Sequence, residues 1–445
     1  MVSLSLIIRD LVFFLLIALV VAILTKRLAI PDTLGLVVVG VFLGFLKLTP
    51  EAQLTPDLVL FVFLPPLLFE GAWAVNLSLL RENWRVIFFL AGPGLLLSLV
   101  IIAAVFHVAE QLDWFTALLL GAILSPTDPV AVLGLFRQLH VNHRLSTIIE
   151  SESLFNDGVA GSLYQTFLAL LLLSLQGHTL SAGAAWGQGL LLLLQNAGGG
   201  LLFGVLGGLL ISQGLKRLDD PVLETTVTLL VAYGLYWLAD TIHVSAIVTV
   251  IVAGLILGNY GRSTAMSARS QSDVETFWRM LAFLANALIF LLIGVQVHPL
   301  TQQLFSSAAS SIWSVALFAI GGVLLARLAL VLVLGLRFWL RFSYLAKRGE
   351  RSRETRQPFP RSWGVIIFWS GLRGALSLAL VLALPVTLPS RDILVISTYA
   401  VVLFTLLVQG FSLRWVLRRV LTKKLERVPT VELEETEIIE EGEPA

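Results

Sequence analysis

The feature that most constrains this chain is a succession of apolar tracts, each about 20 residues long. That is the length a helix needs to cross the hydrocarbon core of a bilayer. The tracts, separated by charges or turn residues, lie at residues 6–25, 30–47, 56–73, 84–108, 114–136, 146–175, 186–214, 222–240, 242–259, 275–297, 311–336, 362–385 and 391–413. They predict thirteen membrane spans. The chain is 57% hydrophobic and only 13% charged, where a soluble domain carries about 25% charged residues. Too few charges remain to cover a water-facing surface. A soluble enzyme, a disordered chain and a nucleic-acid binder with a basic surface are therefore excluded. The expected fold class is an all-α polytopic membrane protein, with the lipid bilayer as its first partner.

Charge placement sets the expected orientation. Of 30 Lys and Arg, only Arg9, Lys47 and Arg391 fall in one set of alternate loops, and only Arg279, Arg327 and Arg373 fall within spans. The rest lie in the other set, which is cytoplasmic by the positive-inside rule. This predicts an N-terminus outside and a C-terminus inside. The first apolar run is followed by Lys26 and Arg27, the wrong side for a cleaved signal peptide, so it reads as the first span. Residues 1–420 form the expected membrane domain. Residues 421–445 form a short acidic cytoplasmic tail, with eight Glu from position 426 onward, and residues 341–361 form a basic inner loop. There is no Cys, and the His residues 107, 140, 143, 178, 243 and 298 are scattered near loops, so no cofactor is expected.

Ionisable groups at membrane depth are costly and mark function by default. They concentrate in three places. In span five, Ser125-Pro126-Thr127-Asp128-Pro129 cannot continue a helix. Pro126 frees the carbonyl of Ala122 and Pro129 that of Ser125, and such backbone is tolerated at depth where it lines a cavity. These oxygens, with Thr127 and Asp128, suit a hard cation; the competing reading is a kink tied to neighbouring helices. In span six, Ser153 and Asp157 share one helical face, with Glu150 near it, while Glu152 and Asn156 share another. In span twelve, Arg373 sits mid-span among glycines, and a buried Arg needs a partner. The expected partner is Glu152, which leaves Asp157 unpaired; pairing with Asp128 or Asp157 is the structural alternative. Glu70, after Pro65-Pro66, reads either as lining a cytoplasmic access funnel or as an interhelical ion pair. Arg327 reads as snorkelling or paired. Gly92-Pro93-Gly94 and the glycines of 198–200 and 207–208 read as sites of close packing.

Four stretches in order, 63–71 (FLPPLLFEG), 125–130 (SPTDPV), 152–158 (ESLFNDG) and 371–376 (GLRGAL), resemble signatures of the sodium/proton exchangers. These are the first, NhaP-like class of the monovalent cation/proton antiporter superfamily, and the resemblance covers about residues 6–415. It implies two inverted six-helix repeats plus one extra helix, with crossed, unwound helices at spans five and twelve. It also implies a homodimer with a dimerisation part and a mobile core. By motif, Asp157 resembles the aspartate that carries cation and proton, and Asn156 its neutral partner. Ser153 and the Thr127 backbone resemble the other cation ligands, Asp128 the support of the broken helix, and Glu152 and Arg373 a bracing pair. Asn156, where some relatives have Asp, implies electroneutral one-for-one exchange. The expected activity is antiport of Na⁺, with Li⁺ or K⁺ as alternatives, against H⁺ in a cell membrane, serving pH and sodium homeostasis. The rivals are a K⁺/H⁺ antiporter, a cation channel using the same oxygens, and an intramembrane enzyme. For the last, a Gly-x-Ser-x-Gly elbow is missing, and Asp219-Asp220 stands without a second acidic motif.

Overall fold

The computed structural model describes residues 4–28, 30–47, 55–139, 141–176, 182–306, 309–347 and 360–425. The predicted acidic tail from 426 on, residues 348–359 of the predicted basic loop, His140 and His178 lie outside the described residues.

The described residues are helical, without strands. In order they form α1 (Leu4–Leu28), α2 (Asp32–Phe45), α3 (Leu64–Ala74), α4 (Leu77–Phe89), α5 (Leu95–Ala109), α6 (Trp114–Leu124), α7 (Val130–Gln138), α8 (His143–Leu175), α9 (Ala182–Leu193), α10 (Gly199–Leu215), α11 (Pro221–Thr241), α12 (Ala246–Ile256), α13 (Arg262–Ala265), α14 (Ala268–Ser306), α15 (Ala309–Lys347), α16 (Arg361–Trp369), α17 (Ala375–Leu382), α18 (Arg391–Phe404) and α19 (Phe411–Leu425). Short π-helical stretches join several of these into longer rods. One of them, Leu90–Gly94 between α4 and α5, contains Pro93, whose missing N–H disturbs the regular ladder. Among the described residues, nine helices are long and apolar enough to cross a membrane; Asp32–Phe45, Leu58–Ala74 and Trp114–Leu124 are apolar but shorter.

Local sequence explains many of the starts. The side chains of Asn76, Asp113, Asn142 and Asp220 each accept backbone N–H bonds at the first turn of α4, α6, α8 and α11, and Pro221 follows Asp220 at the first helical position. Two predicted spans are interrupted. Residues 125–129 separate α6 from α7, and residues 370–374 separate α16 from α17.

The helices pack as two groups. One contains α1, α2, α3, α10, α11, α12 and α14; the other contains α4, α5, α6, α8, α15, α16, α17, α18 and α19. Small residues set the closest approaches in the first group. A Cβ on Gly40 of α2 would lie 2.2 Å from the Leu291 carbonyl oxygen of α14, and one on Gly44 would lie 2.6 Å from that of Val295. The spacing is Gly-x-x-x-Gly, which lets backbones touch without side chains between them. On α10, Gly200 and Gly204 meet the carbonyls of Ser245 and Thr249, and Gly207 and Gly208 also abut neighbours, whereas Gly198 faces open space. Gly94 meets Leu330, but nothing lies near Gly92. The outer surface is apolar. Leu190, Leu191, Leu201, Leu202 and Leu210 of α9–α10 are all more than half exposed. Only lipid makes such a surface tenable, and the protein is a multi-pass membrane protein.

Candidate functional site

The two interrupted segments meet. The Asp128 amide donates to the Leu372 carbonyl at 2.7 Å. Asp128 then serves two helix beginnings at once. Its Oδ1 accepts from the Val130 amide of α7 at 2.9 Å, and the Ala375 amide of α17 also donates to its carboxylate. The first turn of a helix has unmatched N–H groups and a partial positive charge, so one carboxylate neutralises both ends. Gly374 makes room for this contact: a Cβ there would fall 1.8 Å from Asp128 Oδ2.

Arg373 answers the opposite pole. Its side chain is 1% exposed, and its Nη1 donates to the carbonyl oxygen of Ser125 and, at 2.6 Å, to that of Pro126. These carbonyls follow the C-terminal end of α6, where unmatched acceptors carry negative character. The expected Glu152–Arg373 pair is therefore corrected. Glu152 Oε1 is held instead by Arg327 Nη1 of α15 at 2.6 Å, and Arg327 Nε donates to the Ile367 carbonyl of α16 at 2.9 Å. Arg327 is buried and paired, not snorkelling. The Ser125 carbonyl, expected among the cation oxygens, is spent on Arg373.

Beside this junction lies a cavity of about 130 Å³, room for several waters. On one side it is lined by Pro126, Thr127, Asp128 and Pro129, by Glu150, Ser153, Leu154 and Asp157 of α8, and by residues 374–377. The opposite wall belongs to the first group of helices and is mostly apolar, with Leu64, Leu67 and Leu68 of α3; its polar members are Glu70 and Asn286. The cavity thus lies between the two groups. Ser153 and Asp157 share a helical face with Glu150, and all three reach it, whereas Glu152 points to α15.

Polar contacts fix the neighbours of Asp157 but not Asp157 itself. Thr127 Oγ1 lies 3.1 Å from Ser153 Oγ and accepts from Asn156 Nδ2 at 2.8 Å, which ties the first break to α8. Among the described residues, the Asp157 carboxylate has no hydrogen-bond or ion-pair partner. Glu70 forms no salt bridge there either, which leaves the wall of the cavity, not an interhelical pair, as its place.

The structure thus brings Asp157, Ser153, Thr127 and Asp128 to one cavity, with Asn156 bonded behind them and Glu152 and Arg373 bound elsewhere. Two polar lining residues escaped the sequence reading. Asn286 is a lone amide in the apolar run 281–295 of α14, a signal of the same kind as an in-span charge but weaker. Ser377 is an ordinary-looking serine in an apolar helix, visible only once the break beside it is seen in space.

The family model described as "Sodium/hydrogen exchanger, transmembrane" matches residues 15–419. Curated relatives include the low-affinity Na⁺/H⁺ antiporter NhaS1 of Synechocystis sp., 36% identical over 87% of this chain and 69% of that one. The Na⁺/H⁺ antiporter NhaP of Pseudomonas aeruginosa is 37% identical over 80% of each chain. Among solved structures, the sodium proton antiporter MjNhaP1 from Methanocaldococcus jannaschii superposes with a TM-score of 0.72 at 22% identity, covering 94% of this chain and 99% of that one. At that identity the likeness speaks to the fold.

Proposed function

The chain belongs to the sodium/hydrogen exchanger family, and from that premise we propose that it exchanges a monovalent cation, Na⁺ first, for H⁺, one for one, at Asp157. The observation that carries this reading is a carboxylate without a partner among the described residues, on a cavity between two helix groups, beside two broken helices. Broken helices at the junction of repeats are the general way transporters place ion ligands at membrane depth.

The chemistry needs one acid. Asp157 binds a proton or a cation, not both, with Ser153 and Thr127 supplying neutral oxygens to the cation. Carrying a bare carboxylate through an apolar barrier costs on the order of 3 kcal/mol or more. The neutralised site crosses and the empty charged one stays, so each passage of one cargo requires the return of the other. Asn156 adds no charge to the pair, in keeping with an electroneutral cycle. The helices around α8 and the two breaks form the moving core, and the group around α2, α3 and α14 the dimerisation scaffold. Thirteen crossings, two inverted repeats, an outer N-terminus and a cell-membrane location complete the proposal, with pH and sodium homeostasis as its role.

Proton flux in vesicles holding the purified protein tests it, with Na⁺, Li⁺ or K⁺ added in turn. The expected result is proton movement driven by Na⁺ that is insensitive to membrane potential. Drive by K⁺ alone would move the assignment to K⁺/H⁺ exchange. A Na⁺-dependent potential without proton counterflow would make the protein a channel.

A further inference from the structure

A hydroxyl inside a helix has an ordinary resting place, the carbonyl four residues back. Ser98, Ser162, Ser212, Ser397 and Thr398 all take it. Ser377 does not. The residue four before it is Arg373, which lies in the non-helical break, so no helical turn precedes Ser377 to receive its proton. Its side chain is 1% exposed, its Oγ has no partner among the described residues, and it lines the same cavity as Asp157, Ser153 and Thr127. A buried polar atom without a partner costs stability and asks for an explanation.

We propose that Ser377 is a further cation ligand, whose hydroxyl joins the oxygen shell begun by Asp157, Ser153 and Thr127, so that both broken segments hold the ion. The inference rests on the exchange reading above and adds to it a residue of α17. Replacing the hydration shell of an alkali cation takes several oxygens, and their number and field tune the choice among cations. A hydroxyl adds a ligand without adding charge, so it leaves one-for-one exchange intact. It also makes the site depend on the junction, since α17 is held against the first break through Asp128.

The test compares Ser377→Ala and the near-isosteric Ser377→Cys with a matched control, Ser151→Ala. Ser151 is also fully buried with an unpartnered Oγ, but it is not among the residues that line the cavity. Two quantities are read: the half-saturating Na⁺ for proton flux in vesicles, and the Na⁺ concentration that raises the melting temperature of the detergent-purified protein. Losing one oxygen contact should raise both by about 3- to 10-fold in the Ser377 variants, with the maximal rate within about twofold of wild type and the order among Li⁺, Na⁺ and K⁺ altered. Ser151→Ala should change neither. Ser377 variants with wild-type Na⁺ dependence in both readouts overturn the proposal while leaving exchange intact, as does an equal shift in Ser151→Ala. A wild-type protein that moves no protons, yet shows Na⁺ stabilisation weakened in the Ser377 variants, would remove the exchange reading and keep the ligand.

Discussion

Glu152 and Asp157 are carboxylates five residues apart on one buried helix, and they are treated in opposite ways. Glu152 is 2% exposed and bound to Arg327 at 2.6 Å. Asp157 faces a cavity and has no partner among the described residues. An ionisable group inside a membrane protein is either paired or a candidate for function, and α8 carries one of each. Glu152 spends its charge joining α8 to α15, which makes it structural. Asp157 leaves its carboxyl group open to whatever enters the cavity. On the proposed exchange reading the two faces of α8 separate a brace from a carrier, and substitution on each should fail in a different manner.

The sharpest break in that contrast comes at Asp157. Asp157→Asn keeps shape and removes the titratable group, so Na⁺-driven proton flux in vesicles should be abolished while the melting temperature holds or rises. Next in size, Arg327→Ala strands Glu152 as a buried unpaired acid. Removing one member of a buried pair costs about 3–5 kcal/mol, seen as a lower melting temperature and yield. The double variant Glu152→Gln with Arg327→Met should recover much of that loss, because neither member then carries an unmatched charge. A smaller effect is expected at Asp128. Asp128→Asn keeps an oxygen for the two helix starts but loses the charge that complements both, worth about 1–2 kcal/mol in the same melting assay. If Arg327→Ala leaves stability unchanged and abolishes flux instead, the division between brace and carrier is wrong.

Much of the architecture is legible in the residues themselves. Apolar tracts announce the helices, and Pro126, Pro129 and the glycines around Arg373 announce the two breaks. The face arithmetic of α8 separates Ser153 and Asp157 from Glu152. The partner of Arg373 is not legible. A sequence states that a buried guanidinium needs acceptors, but it offers three in-span arginines, Arg279, Arg327 and Arg373, and helix-to-helix geometry chooses which of them meets Glu152. One acceptor that Arg373 uses, the Ser125 carbonyl, is visible in the sequence as a group that Pro129 frees, but it reads there as a cation ligand, and donor and acceptor lie 248 residues apart in the chain. Asn286 and Ser377 are hidden for a related reason. One polar residue in an apolar helix has no meaning until the wall it faces is known.

Proton release on Na⁺ binding tests most directly the claim that one carboxylate serves both cargoes. Detergent-purified protein, titrated with Na⁺ in weak buffer at several pH values, should release protons as the cation binds. Where the site is mostly protonated, the half-saturating Na⁺ should rise about tenfold for each unit fall in pH, and the Asp157→Asn variant should release none. Equal proton release from that variant would contradict it.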